Sequence, residues 1–138
     1  MHNLSVKPVT QFGVTLENAS GSLAKASEAL ATAGVDIIGF CGMTESVGQV
    51  HFVVDQASSA KQVFERLGMT YTEDAALSIV CPKDEPGILA ALTRALADAS
   101  INIEDMYFTS SGEKRDTVIY LQTSKQDSAR ALQALQGL

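Results

Sequence analysis

Two polar turns, each just before a predicted helix, carry the residues best suited to bind a small molecule. The turns read Asn18-Ala19-Ser20-Gly21 and Lys83-Asp84-Glu85-Pro86-Gly87. Glycine lets the backbone approach a ligand closely, and the N–H groups at a helix start attract an anion such as a carboxylate. Pro86 fits the first turn of a helix, and Asn18 or Asp84 can accept a hydrogen bond from an amino group. Both turns are therefore candidate binding sites.

The same residue types have a second, purely structural use. Asn, Ser and Asp are the preferred N-cap residues, so Asn18, Ser20 and Asp84 also fit helix capping without any ligand. Residue type and spacing do not separate the two uses, because both place a side-chain oxygen beside the N–H groups of a helix start. Capping and ligand binding are both open interpretations of these turns.

Other reactive residues lack the partners that catalysis requires. His51 lies in a predicted strand on the face opposite Val50 and Phe52, without a fixed partner for a triad or a metal site. Glu104 and Asp105 are adjacent on a predicted strand, so they point to opposite faces and do not share a proton. No phosphate-binding glycine loop, nucleophile elbow or zinc motif occurs, and neither turn has the Arg that acylphosphatase-like catalysis needs. The sequence predicts no enzyme activity, no metal and no cofactor.

An internal repeat organises the chain that positions these turns. At an offset of 66 positions, glycine, leucine, isoleucine and valine recur in register: Gly21 and Gly87, Leu30 and Leu96, Ile37 and Ile103, Val14 and Val80. Such matches within similar patterns indicate a duplication. We therefore predict a first repeat at 1–72, with an extra N-terminal segment, and a second repeat at 73–138.

Each repeat is predicted to run strand, helix, strand, strand, helix. The predicted strands are rich in β-branched and aromatic residues and lie at 12–17, 35–43, 49–55, 77–81, 101–109 and 117–123. The first helix of each repeat carries an apolar stripe: Leu23, Ala26, Leu30 and Ala33, then Leu89, Leu92, Leu96 and Ala99. A second helix follows near 60–67 and 131–135, and a fourth strand at 69–72 completes the first repeat. The result is an α+β fold of two side-by-side ferredoxin-like βαββαβ repeats, an antiparallel sheet with helices on one face.

The second repeat is too short for its fourth strand. Only Gln136, Gly137 and Leu138 follow its last helix, whereas the N-terminus carries a segment at 4–9 that the first repeat does not need. An unpaired sheet edge invites association, so we expect residues near 3–9 to pair in the sheet of the second repeat. Because Pro8 cannot donate a ladder hydrogen bond, this strand must lie on an edge or end near Pro8.

Composition narrows the function classes. The chain of 138 residues has a formal net charge of −6, and its basic residues cluster no further than Lys114-Arg115, which argues against nucleic-acid binding. Cys41 and Cys81 have no metal-ligand spacing and read as reduced thiols, which predicts a cytoplasmic protein. The N-terminus lacks a leader pattern, and no apolar run is long enough to span a membrane, so we expect no membrane association.

Both faces of the second predicted strand carry bulky apolar groups. Ile37 and Cys41 alternate with Ile38 and Phe40, and the later repeat adds Met106 and Phe108. Helices on one sheet face cannot cover all of this surface, and exposed apolar surface often marks an interface. Homodimerisation and mutual burial of the two repeats are both open interpretations.

Taken together, the turn Asp84-Glu85-Pro86-Gly87-Ile88-Leu89 and the later segment Ala99-Ser100-Ile101-Asn102-Ile103 resemble ACT domains. The resemblance covers 12–138 and is similar in particular to stand-alone tandem-ACT proteins. It implies that the chain binds an amino acid or similar small carboxylate and regulates a metabolic enzyme as an allosteric sensor. ACT domains usually act in cis, but this sequence carries no attached enzyme, DNA-binding or transport domain, so we expect regulation in trans.

The resemblance also implies two sites, each between the turn of one repeat and the second strand of the other. One site uses Asp84, Glu85, Pro86, Gly87, Ile88 and Leu89, facing Ile38, Gly39 and Phe40. The other uses Asn18, Ala19, Ser20, Gly21 and Ser22, facing Glu104, Asp105 and Met106. The first repeat departs from the usual turn because it lacks the acidic residue and the proline. A ligand-free oligomerisation module is the main alternative, and a catalytic ferredoxin-like domain is the least favoured.

Overall fold

The computed structural model describes residues 2–17, 19–44, 48–110 and 116–138. Its elements in chain order are β1 (Ser5–Leu16), α1 (Ser22–Thr32), β2 (Ile37–Thr44), β3 (Gly48–Val54), α2 (Ala57–Arg66), β4 (Thr70–Cys81), α3 (Ile88–Asp98), β5 (Asp105–Ser110), β6 (Thr117–Gln122) and α4 (Ser128–Leu135). The chain divides into a first unit, residues 10–74, and a second unit, residues 1–9 with 75–138. Asn18, Lys114-Arg115 and most of both predicted hairpin turns lie outside the described residues.

The first unit has the strand order β2-β3-β1-β4, with β1 and β4 contributing residues 10–16 and 70–74. Strand β3 pairs antiparallel with both β1 and β2, and Phe12 lies opposite Phe52. Alternate residues of β1 and β3 face α1 and α2, as the period of two requires. The buried residues on this face are Phe12, Val14, Leu16, Val50, Phe52 and Val54, and they meet Ala26, Leu30, Ala60, Val63 and Phe64 of the helices.

Aromatic rings fill the centre of this core. The rings of Phe12 and Phe64 meet edge-to-face with centroids 5.4 Å apart, and Tyr71 lies 5.7 Å from Phe64. Each such pair adds about 1 kcal/mol beyond the area it buries. These ring contacts fix α2 to one face of the sheet.

The second unit has the strand order β1-β4-β6-β5, to which β1 and β4 contribute residues 5–9 and 75–81. Strand β6 pairs antiparallel with β4 and β5. Its core again joins one sheet face to two helices and contains Leu77, Ile79, Cys81, Ile119 and Leu121 with Ile88, Leu92, Leu96, Ala131 and Leu135. The predicted ferredoxin-like α+β fold is confirmed.

The N-terminal segment completes the sheet of the second unit, as predicted. Leu4 and Val6 pack against its core, and the Cys81 thiol lies 3.6 Å from the His2 carbonyl oxygen. Pairing of β1 with β3 begins only at Gln11, so Pro8 lies on the edge strand of this unit. The second unit is therefore a permuted version of the first, with its fourth strand at the N-terminus.

The predicted alignment of Val14 with Val80 is wrong by one residue. Val14 is fully buried against the helices, whereas Val80 is only half-buried, and its neighbours Ile79 and Cys81 face the second core. Leu16 and Cys81 both end their strands, but five residues separate Cys81 from its helix-start glycine, against four after Leu16. The turn of the second unit is one residue longer.

The predicted helix stripes also need correction at their first position and, in α1, at Ala33, which is exposed and follows the last helical residue. Leu23 is 40% exposed and Leu89 is 42% exposed, and neither belongs to a core. The core-facing residues recur at every fourth position, from Ser22 in α1 and from Ile88 in α3. Leu23 and Leu89 each follow the first of these residues, so they point about 100° away around the helix. Ile88 is buried, while Ser22 is a half-buried polar residue at the corresponding position.

Strict alternation along β2 is broken by an irregularity in the strand. The register shifts between Ile37 and Gly39, so Ile37 lies opposite Val54 and Phe40 lies opposite Phe52. Ile37 therefore packs on the first core, and the Phe40 ring lies 5.5 Å from that of Phe52. The extra residue of a bulge explains why two positions that were predicted to face apart share one face.

No helix in the described part of the chain is long and apolar enough to cross a membrane.

Candidate functional site

The turn of the second unit presents an open helix start. Gly87 precedes α3 with φ 99°, a left-handed conformation that favours glycine, and no atom lies within 4 Å of a Cβ built there. The first helical hydrogen bond runs from Ala91 N–H to the Gly87 carbonyl. The N–H groups of the first turn point outward from the helix end and can receive a carboxylate. Pro86 precedes the N-cap, so its predicted place in the first helical turn is wrong.

The side chains of this turn are held by other elements of the second unit. Ser110, the last residue of β5, donates a hydrogen bond of 2.6 Å to the Asp84 carboxylate. His2 Nδ1 donates to the Glu85 carboxylate at 3.1 Å, because a carboxylate can only accept. No side chain in the described part of the chain caps the start of α3. Asp84 is therefore positioned by β5, and capping does not explain it.

One buried hydroxyl lies beside this arrangement. Thr117 of β6 is opposite both Ser110 and Cys81, and its side chain is fully buried. Within the described ranges its hydroxyl has no hydrogen-bond partner. An unsatisfied buried polar group costs folding free energy. The Thr117 hydroxyl, opposite Ser110, is such a group.

The remaining predicted residues of the second unit differ in accessibility. Ile88 is in the core, so only its backbone N–H is available, whereas Leu89 is exposed. Glu104 is exposed and its N–H donates to the Gln122 carbonyl. Asp105 begins β5 and is half-buried, and Met106 packs against the core.

The corresponding turn of the first unit is less polar. Gly21 precedes α1 with φ 87°, and among the described residues no side chain caps this helix either, so capping by Ser20 is excluded. Ala19 and Ser20 are exposed, and Asn18 lies outside the described residues. At the β2 irregularity Ile38 is 41% exposed and Gly39 half-buried, followed by an exposed Phe40. That each turn faces a strand of the other repeat remains a prediction.

The histidine and the cysteines considered as candidates occupy structural positions. His51 is half-buried, with its Nδ1 3.2 Å from Gln11 Nε2. Both cysteines are free thiols; Cys81 is buried and Cys41 is half-buried. Among the described residues, no three His, Cys, Asp or Glu side chains meet in a way that could hold a metal ion.

Sequence reasoning missed two features of these turns. Ser110 lies 26 positions from Asp84, and only the pairing of β5 with β6 brings it close. A cavity in the first unit brings Glu17 and Lys25 together with the loop between α2 and β4. The sequence held one signal for the cavity: Lys25 lies in the first turn of α1, and this turn has no acidic residue.

Comparisons with known proteins identify the domain type of the second unit and the fold of the chain. Residues 75–138 match the family model of the ACT domain. None of the curated proteins searched matches the chain. The ACT match covers the second repeat, and the assignment of the first repeat as a further ACT repeat remains a prediction.

Solved structures share the fold over nearly the whole chain. A protein from Bacteroides thetaiotaomicron is 21% identical, with a TM-score of 0.82 over 96% of this chain and 89% of its own. The regulatory subunit of aspartate kinase from Thermus thermophilus, in its ligand-free form, is 22% identical, with a TM-score of 0.72 over 97% and 95%. The corresponding subunit from Thermus flavus is also 22% identical, with a TM-score of 0.69 over the same shares. The chain has the fold of these proteins, and its residues 75–138 form an ACT domain.

Proposed function

We propose that this chain is a non-enzymatic regulatory protein that binds a free amino acid or a similar small carboxylate at the start of α3. The observation that carries the proposal is the Asp84 carboxylate, held by Ser110 beside a helix start that has no side-chain cap. The helix start suits the ligand carboxylate, and Asp84 suits its ammonium group. One turn thus offers complementary charges to the two charged ends of an amino acid.

The ACT match and the fold similarity support a regulatory role. Two of the similar structures are regulatory subunits of aspartate kinase. We extend this to a cytoplasmic protein of two ACT repeats that acts in trans on a metabolic enzyme. Differential affinity of the ligand for two states of the protein would supply the regulation.

Calorimetric titration with each proteinogenic amino acid tests the proposal. Saturable binding is expected for the wild type and should be lost in Gly87→Val, because the side chain fills the approach to the helix start and disfavours φ 99°. Gly21→Val is the matched control, since it places the same strain at the start of α1. Unchanged affinity in a folded Gly87→Val protein contradicts the site.

Asp84→Asn and Ser110→Ala separate charge from position. Asp84→Asn removes the carboxylate that we assign to the ammonium group, and Ser110→Ala frees it from β5. We expect about tenfold weaker binding for Asp84→Asn and a smaller loss for Ser110→Ala. Equal affinity in all three proteins contradicts the role of Asp84.

A ligand-free oligomerisation module is the second candidate. Phe40 is 44% exposed and Phe108 is 46% exposed, more than any other large apolar residues of the described chain. Buried aromatic side chains often anchor interfaces, which favours a homodimer. Light scattering at micromolar concentration tests this, and a monomeric mass would count against it. Calorimetry without any binding, together with a dimeric mass, would favour this second candidate.

A further inference from the structure

The first described residues of the chain contact the turn before α3. His2 Nδ1 donates a hydrogen bond of 3.1 Å to the Glu85 carboxylate, and the Cys81 thiol lies 3.6 Å from the His2 carbonyl oxygen. These residues all belong to the second unit. Residues 2–4, which precede β1, are called the N-terminal latch below. The latch connects the start of β1 to the turn that leads into α3.

The two carboxylates of this turn are held by different kinds of partner. Asp84 accepts its hydrogen bond from Ser110, which is the last residue of β5 and is paired with β6 in the sheet. Glu85 accepts from His2, which lies outside any strand, and the two side chains are 40% and 23% exposed. The partner of Asp84 is therefore fixed by the sheet, whereas the partner of Glu85 can leave without breaking a strand pair.

The closed latch is only weakly stabilised. Solvent-exposed ion pairs contribute little, because water competes for both groups and two side chains lose freedom. Asn3 has φ 53°, a left-handed conformation that is unfavourable for a residue other than glycine. Leu4 packs against the core, so the strained residue joins a fixed side chain to the weakly held His2. A competing group with a modest preference for Glu85 is enough to open such a contact.

We infer that the N-terminal latch is a ligand-controlled switch, in which the ammonium group of a bound amino acid replaces His2 at the Glu85 carboxylate and residues 2–4 leave the turn. The switch rests on the proposed function, since an ammonium group held by Asp84 lies one residue from Glu85. Such a group has several N–H donors, and its charge strengthens a hydrogen bond to a carboxylate.

This exchange couples two separate parts of the second unit. Occupancy of the turn at α3 changes the accessibility of residues 2–4, and by linkage the closed latch lowers the affinity for the ligand. A segment that is released when a ligand binds is a signal that a partner protein can detect. Regulation in trans requires a signal of this kind.

Calorimetric titration separates a competing latch from a merely structural contact. The probe is the proteinogenic amino acid that binds the wild type most tightly. His2→Ala removes the competitor of the ligand, so binding should become about threefold tighter. Glu85→Gln removes the contested carboxylate itself, so binding should become about threefold weaker. Arg94→Ala is the matched control, because Arg94 forms an exposed ion pair with Asp98 in the same unit, and it should leave the affinity unchanged.

NMR spectra of the isotope-labelled protein follow the latch directly, through the ring signals of His2 and the amides of Asn3 and Leu4. Without ligand, Glu85→Gln should move these signals, because it weakens the acceptor of the His2 hydrogen bond. In the wild type, saturation with the same amino acid should move them toward their positions in Glu85→Gln. The amide of Asn3 should also exchange with solvent faster in the saturated protein.

The outcomes distinguish the latch from the proposed function. Saturable binding that leaves the His2 signals in place, or an affinity in His2→Ala that is equal to or weaker than that of the wild type, overturns the latch and leaves the proposed function standing. Absence of binding by every amino acid overturns both. Tighter binding in His2→Ala together with ligand-induced movement of the His2 signals supports the switch.

Discussion

The starts of α1 and α3 have nearly the same backbone and different side chains. Gly21 and Gly87 precede the helices with φ of 87° and 99°. The first core-facing position is Ser22 in α1 and Ile88 in α3, and the same first turn has Lys25 in α1 where α3 has Ala91. The α3 turn is longer by one residue and carries Asp84. Two similar helix starts thus expose different side chains to solvent.

The difference shows how packing decides where a ligand can bind. The Ile88 side chain fills the core side of the α3 start. The polar Asp84 of this turn is instead held by Ser110 of β5. Ser22 leaves the underside of the α1 start open, and charged groups collect around the cavity. The two helix starts therefore leave different groups open: Asp84 beside Ser110 at α3, and Glu17 and Lys25 around the cavity at α1.

Deleting residues 2–9 should produce the largest difference between the units. The second unit loses its edge strand, the contacts of Leu4 and Val6 and the hydrogen bond from His2 to Glu85. We expect a loss of about 4 kcal/mol in its free energy of unfolding, from apolar burial and ladder hydrogen bonds. Hydrogen exchange should show amides of β4 and β6 losing protection before those of β3. Equal protection in both proteins would mean that the segment does not complete the sheet.

Exchanging the residues at the two helix starts should have the next largest effect. Ile88→Ser removes a buried side chain and leaves a hydroxyl in the core, which costs about 3 kcal/mol. Ser22→Ile fills the cavity and should change stability by less than about 1 kcal/mol, because the space already exists. Chemical denaturation measures both. Similar losses in the two variants would contradict the comparison of a filled with an open helix start.

Substitutions at the ends of α1 and α3 should have a smaller effect on the free energy of unfolding, of opposite sign in the two units. The residue after α1 is followed by Gly34 with φ 74°, and the corresponding residue after α3 is Ser100 with φ 57°. A non-glycine residue in this region costs about 1 kcal/mol. Ser100→Gly should therefore stabilise the second unit by that amount, and Gly34→Ser should destabilise the first. Thermal or chemical unfolding that shows the same sign for both would disprove this.

The smallest expected effect is a loss of stability at alkaline pH, caused by the ionisation of two tyrosines. In the first unit the Tyr71 hydroxyl donates to Glu65 at 2.8 Å, which raises the pKa of Tyr71 above 10.0. In the second unit burial raises the pKa of Tyr120, and a hydrogen bond with Ser78 partly opposes it. Each raised pKa stabilises the fold below pH 10.0, and this stabilisation is lost as pH rises through the folded-state pKa.

Phenolate absorbance of variants with a single remaining tyrosine checks the two causes. Glu65→Gln should lower the pKa of Tyr71 toward its ordinary value, because it removes the charged acceptor. The pKa of Tyr120 should not change. A Tyr71 pKa that is insensitive to Glu65→Gln would show that its hydrogen bond is not the main cause.

Local pattern was enough to predict most of the fold. Alternating apolar residues predicted β3, and glycines marked both helix starts, because these signals depend on neighbouring residues. The pairing of the N-terminal segment with the second unit was also predicted, because the first repeat does not need this segment and an open sheet edge needs a partner.

Features set by distant contacts were not predictable. The irregularity after Ile37 leaves no mark in an apolar run, and one additional residue in a polar turn is invisible until the strands are placed. Whether Asp84 caps α3 depends on Ser110, which belongs to another strand. The cavity requires Ser22 and Gly68 to meet across the first unit. Such sites arise from tertiary packing, which periodicity does not describe.

Intermolecular nuclear Overhauser effects test the central claim most directly, which is that an amino acid binds at the start of α3. The measurement uses the amino acid that gives the tightest calorimetric binding and the intact, isotope-labelled chain. We predict contacts between its protons and the amides of Ile88 and Leu89, and their loss in Gly87→Val with retention in Gly21→Val. Saturable binding without any contact at Ile88 or Leu89, or contacts that persist in a folded Gly87→Val protein, would contradict it.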